Sequence, residues 1–122
     1  MPEILEQRGF VPAKDFARSI DFYTRMGWSN IYKDDSLALM KLGASLFFVQ
    51  KAWVEDWAHN TMIHLVVDDA AAWYETAMRV KAAGGFDEVR IGAPRRETYG
   101  ALATHVIDPA GVLLFFAQFD QA

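Results

Sequence analysis

The chain has 122 residues, 52% of them hydrophobic and 23% charged, and 12 Lys/Arg against 16 Asp/Glu give a net charge of −4. That length supports the core of one domain, and the acidic balance argues against a nucleic-acid partner, which wants a basic surface. There is no cysteine, which excludes a disulfide framework, a thiolate nucleophile and a cysteine-based metal site. The opening MPEILEQRGF lacks a basic stretch followed by an apolar run, and no apolar stretch is long enough to span a bilayer. The expectation is a cytoplasmic chain with no membrane partner.

In chain order, QRGFVPA reads as extended, with Pro12 marking a sheet edge or a strand end. Asp15 is placed to cap a helix FARSIDFYTRMG, where Phe16, Ile20 and Tyr23 recur on one face, and Gly27 closes it. Three short strands follow, WSNIYK, LALMKL and SLFFVQ, parted by the turn-like DDS and GA. KAWVEDWAHNT at 51–61 reads as a polar linker with two tryptophans.

The order then repeats. MIHLVV is a strand, Asp68-Asp69 cap the helix AAAWYETAMRVKAAGG, which ends at a double glycine, and DEVRIG, ALATHVI and VLLFFAQF complete the set. DPAG at 108–111 is the turn between the last two strands, and APRRETYG at 93–100 is extra loop. Aligned on Gly43 and Gly111, LFFVQ falls on LFFAQ at an offset of 68, and Trp73-Tyr74 fall on Phe22-Tyr23 at an offset of 51. Each copy has one helix, enough to cover one face of its sheet. The other face must close on the partner half or on another subunit, which makes a half-open sheet with a cleft.

Two stretches are specific: KDFARSIDFYTRMGW at 14–28, similar to D-x-x-x-S-x-x-F-Y-x-x-x-G-[FW], and DPAGVLLFF at 108–116, similar to D-P-x-G-x-x-[IL]-x-[FL]. With the duplicated βαβββ unit they make the chain resemble the vicinal oxygen chelate superfamily of glyoxalase I, extradiol dioxygenases and bleomycin-resistance proteins. VPAKDF and ETYGALATHVIDPAG resemble the bleomycin-resistance branch. The resemblance implies an α+β fold: one domain over 1–122, with module 1 about 5–50, a linker at 51–61 and module 2 about 62–120. It further implies curved mixed sheets enclosing a cleft, and a homodimer whose grooves are walled by both chains.

Metal-dependent members of that superfamily draw ligands from the first and last strands of each copy. The resemblance places those positions on Arg8, Phe47, Met62 and Phe115. A fixed cation, two phenylalanines and a soft thioether do not hold a divalent metal. A one-residue slip on the last strands would substitute Leu46 or Phe48, and Leu114 or Phe116, which are no better. No metal, no cofactor and no catalytic residue is therefore expected.

Phe47, Trp53, Trp57, Met62, His64, Tyr99 and Phe115 are the expected ligand-binding residues: rings beside a cleft hold a planar or cationic ligand by contact area, stacking and cation–π attraction. Glu55 and Asp56 are the acidic groups available to a cationic tail, Asp34-Asp35 read as a turn, and PRRE at 94–97 reads as a solvated loop. No nucleophile elbow, phosphate loop or nucleotide fingerprint is present. The leading expectation is non-catalytic sequestration of a small aromatic, cationic natural product such as a bleomycin-family antibiotic. A lyase or dioxygenase with a displaced metal on His59, His64, His105 and a carboxylate is the alternative; a regulatory dimer whose cleft its own side chains fill is a third.

Overall fold

The computed structural model describes residues 1–121. Module 1 runs β1 (Gly9–Pro12), α1 (Phe16–Met26), β2 (Ser29–Lys33), β3 (Leu37–Leu42) and β4 (Ser45–Gln50). Asp15 caps α1 by accepting from the Arg18 N–H at 3.2 Å, and Gly27 ends it at φ +124°, a conformation that suits glycine. The linker contains a short helix, α2 (Glu55–His59), which the polar composition of the segment did not announce. Glu55 and Asp56 sit in its first turn, where acidic groups complement the helix dipole, and Ala58 anchors it in the interior.

Module 2 repeats the order as β5 (Met62–Val66), α3 (Ala70–Ala82), β6 (Arg90–Arg96), β7 (Ala101–Ile107) and β8 (Leu113–Phe119). Asp69 caps α3 through the Ala72 N–H at 3.0 Å. Strand β6 begins within DEVRIG, at Arg90, and takes in the first half of the APRRETYG stretch expected as a loop. Its register with β7 shifts between Gly92 and Arg95, so a bulge absorbs Pro94, which has no N–H to give, on an edge strand that tolerates the loss.

The sheets are ordered β1-β4-β3-β2 and β5-β8-β7-β6, each with one parallel pair at the edge and antiparallel pairs elsewhere. Registers relate the two copies directly. Phe10 pairs with Phe48 and His64 with Phe115, so the first strands correspond at an offset of 54 and the last at 67. The helix caps Asp15 and Asp69 keep the offset of 54, which matches Tyr23 with Ala77 and Ser19 with Trp73 rather than Phe22-Tyr23 with Trp73-Tyr74.

An offset of 67 rather than 68 turns the repeated motif over. Phe47 is 4% exposed and packs edge-on to Tyr23 at 4.9 Å and against Trp28 at 5.8 Å, on the helix-bearing side of its sheet. The expectation that it lines a cleft is corrected: Phe48 takes that face. The physical cause is the turn. The β3–β4 hairpin closes through Gly43-Ala44 on the core-facing pair Leu42–Ser45, whereas the β7–β8 loop over 108–112 closes on the opposite-face pair Ile107–Leu113.

One core serves both modules. Phe22, Tyr23, Met26, Trp28 and Met40 of the first meet Ala77, Phe86, Leu114 and Phe116 of the second in a single cluster. Trp28 approaches Trp73 at 5.8 Å, and Trp73 stacks on Phe116 at 4.6 Å. The modules thus join through their helix-bearing sides, so the partner half does not cover the other sheet faces. Polar ties reinforce the junction: the buried Tyr23 hydroxyl donates to Asp108 at 2.6 Å, and Arg18 forks onto Glu88 with both contacts at 2.6 Å. Asp108 also accepts from the Ala110 and Val112 N–H groups at 2.8 and 3.0 Å, which shapes the DPAG turn. Burial pushes the Asp108 carboxyl up despite these donors, and burial with the facing Asp108 pushes the Tyr23 phenol well up. Among the described residues no helix is long and apolar enough to cross a membrane.

Candidate functional site

Strand alternation gives each sheet an uncovered face. On the first sheet, Phe10 stacks on Phe48 at 5.1 Å and 20°, and the Arg8 guanidinium sits 5.8 Å from the Phe48 ring while pairing with Glu6. Phe10 and Tyr32 on this sheet are about half exposed. That is a large apolar area for water to meet.

The second sheet carries a denser wall. His64 lies within 6.0 Å of Phe115, 5.9 Å of Phe119 and 5.6 Å of Tyr99, ring centre to ring centre. Its Nε2 is 3.2 Å from the Tyr99 hydroxyl, and Tyr99 and Phe119 are 5.8 Å apart. Ala101, Ala103 and Ala117 form the floor between these rings, small enough to let them lie close. Met62 and Val66 extend the same face along β5, both largely exposed. Edge-on to Phe115 at 4.7 Å stands His105, whose Nε2 is 3.1 Å from Glu97 Oε1 but out of line for a hydrogen bond. Burial pushes the His105 imidazole below its ordinary value, Arg95 adds to that, and Glu97 only partly opposes it.

Of the seven expected residues, Met62, His64, Tyr99 and Phe115 share this wall. Trp53 and Trp57 lie elsewhere, bordering a hollow of about 210 Å³ with Phe10, Pro12, Val54 and Thr61 beside the first sheet. Trp53 is also a structural tie. Its Nε1–H donates to the Ala110 carbonyl at 2.9 Å, the Lys14 ammonium lies 4.7 Å from its ring, and His59 meets it edge-on. Phe10, Phe48, Phe119 and the Glu97–His105 pair were not anticipated. The signal for Phe119 was alternation with Phe115, and for Phe10 its correspondence to His64 at the offset of 54 once the register is known; the pairing of Glu97 with His105 needs the β6 bulge, which the letters do not display.

The three histidines do not converge. His59 packs on Gly111 beside Trp53, His64 meets Tyr99, and His105 faces Glu97. Among the described residues no group of three or more His, Asp or Glu is placed to hold a metal ion. With Phe48 in place of Phe47, the positions that the resemblance assigns to metal ligands hold Arg8, Phe48, Met62 and Phe115, a donor set unfit for a divalent metal. Asp34 accepts from the Tyr32 hydroxyl first and then from the Ser36 and Leu37 N–H groups, which hold its carboxyl at about 2; it shapes the β2–β3 turn. A seam of about 320 Å³ between the modules is lined by Trp28, Leu42, Ser45, Val67, Trp73 and Phe116.

The model of the Glyoxalase/Bleomycin resistance protein/Dioxygenase superfamily matches residues 7–116. A bleomycin resistance protein of Klebsiella pneumoniae is 27% identical over 112 residues, covering 88% of this chain and 87% of the relative. Two solved structures share the fold. A bleomycin-binding protein complexed with bleomycin superposes with a TM-score of 0.79 at 24% identity, over 94% of this chain and 98% of the other. A bleomycin-binding protein from bleomycin-producing Streptomyces verticillus, complexed with copper(II)-bleomycin, gives 0.81 at 21% identity, over 98% of this chain and 100% of the other.

Proposed function

The chain belongs to the glyoxalase/bleomycin resistance/dioxygenase superfamily, and on that premise we propose that it binds and sequesters a small aromatic, cationic natural product of the bleomycin type without transforming it. The observation that carries this reading is the wall of His64, Tyr99, Phe115 and Phe119, an uncovered aromatic surface in which Phe115 stands where the resemblance to metal-dependent relatives would place a donor. Such a surface offers stacking and cation–π attraction and supplies neither a Lewis acid nor an activated nucleophile. The relatives named above as binding bleomycin support the ligand class.

A second copy of this chain supplies the facing wall of each groove. The support is that the modules spend their helix-bearing sides on each other and leave both other faces exposed. Titration of the protein with bleomycin, followed by calorimetry and tryptophan fluorescence, tests the proposal. Saturable binding near one ligand per chain is expected, with Phe115→Ala weakening it about tenfold. Absence of saturable binding, or recovery of chemically altered bleomycin, overturns the reading.

A further inference from the structure

Two carboxylates of this protein have an oxygen shielded from water and are treated oppositely: Asp108 is buried, and Glu97 is partly buried with its Oε1 inside. Asp108 collects the Tyr23 hydroxyl and two backbone N–H groups, all at 3.0 Å or less. Glu97 has no comparable set. Its Oε1 faces His105 Nε2 at 3.1 Å out of line and Arg95 Nε at 3.6 Å, and is buried without an aligned donor. Shielded acceptors are ordinarily satisfied, so an exception asks what group it serves. The protein's other arginine–carboxylate contacts are closer: Arg18–Glu88 is at 2.6 Å and Arg96–Asp120 forks at 2.7 and 2.5 Å. The Arg95 side chain is 71% exposed and only loosely engaged.

Position supplies the rest. Glu97 follows β6 directly, two residues before Tyr99, and the His105 it faces stands beside Phe115 in register. It is thus a carboxylate at the margin of an uncovered aromatic wall. Rings combined with a partly buried carboxylate recognise a cation or a polarised N–H, because the rings attract positive charge and the carboxylate makes a charge-assisted bond. Glu55 and Asp56, the groups expected from sequence to meet a cationic tail, sit instead in the first turn of α2, which packs by β1 of the other module.

We propose that Glu97 is the residue by which this wall selects its ligand, its carboxylate receiving the cationic tail of an aromatic molecule that lies on His64, Tyr99, Phe115 and Phe119. The inference rests on the binding function proposed above and names its selectivity. Arg95 is the competing cation, so its removal strengthens the site while removal of the Glu97 charge weakens it.

The test is calorimetry of the wild type, Glu97→Gln and Arg95→Ala with two probes: bleomycin, whose terminal amine chain is cationic, and bleomycinic acid, which ends there in a carboxylate. Wild type is expected to prefer bleomycin. Glu97→Gln weakens bleomycin about tenfold and leaves bleomycinic acid within about twofold, while Arg95→Ala tightens bleomycin about twofold. Equal loss of both probes in Glu97→Gln overturns the inference and leaves the binding function standing; no binding of either probe to the wild type overturns both. Should Glu97→Gln not fold, Arg95→Ala decides, and failure to tighten bleomycin overturns the inference.

Discussion

Strands β4 and β8 carry almost the same five letters, LFFVQ and LFFAQ, and turn them to opposite sides. In β4 the first phenylalanine, Phe47, is in the core and the second, Phe48, stacks on Phe10 in the open. In β8 the first, Phe115, belongs to the aromatic wall and the second, Phe116, is fully buried against Trp73. A run whose first four positions are all apolar has no alternation there to state which side is inward. The turn before it decides.

The sharpest way to break this comparison is to truncate each ring in turn. Phe47→Ala and Phe116→Ala should each cost about 3–5 kcal/mol of stability. Phe48→Ala and Phe115→Ala should cost about 1–2 kcal/mol, the loss at Phe115 showing in ligand affinity. Urea denaturation of the four variants checks the order, and a larger cost for Phe48 than for Phe47 would refute the register. The two glycines that precede the strands differ in the same spirit. A Cβ on Gly111 would lie 2.4 Å from the His59 ring at φ +98°, whereas one on Gly43, at φ +55°, meets nothing within 4 Å. Gly111→Ala is expected to cost about 2–3 kcal/mol and Gly43→Ala about 1 kcal/mol, read from melting curves; equal costs would mean that His59 yields freely.

A last comparison concerns the turn that sets the β8 phase. Tyr23→Phe removes one donor from buried Asp108 and should cost about 1–2 kcal/mol. Because burial raises the folded Asp108 value above its unfolded one, its contribution is full below the unfolded value and is lost as pH rises through the folded value. Stability of the wild type relative to Asp108→Asn should therefore improve on acidification from neutral pH toward about pH 4, measured as denaturation midpoints. A shift the other way would show that the hydrogen bonds, rather than burial, dominate that carboxyl.

Much of the architecture was legible because its signals are local. Asp15 and Asp69 cap where capping chemistry places them, and Gly27 stops its helix. What escaped depends on pairing across strands. Phe47 was misassigned because matching letters were taken for matching faces. Pro94 made β6 look like a loop, since a bulge that absorbs a proline leaves no periodic trace. Glu97 meets His105 only once that bulge has set the register. Met62, His64, Tyr99 and Phe115 were found together because two-residue alternation along β5, and the resemblance, pointed to one face.

The exchange of bulk between the helices reaches beyond packing. Tyr23 in one copy corresponds to Ala77 in the other, and Ser19 to Trp73, and neither Tyr23 nor Ala77 has any exposed surface. A chain built from two first halves would bring a second tyrosine to the place of the buried Ala77 and would lack both Trp73 and the Phe116 ring it stacks on. The duplication has therefore become a one-way step. Each half now carries the complement of the other's shape, and neither can serve again as the ancestor of both.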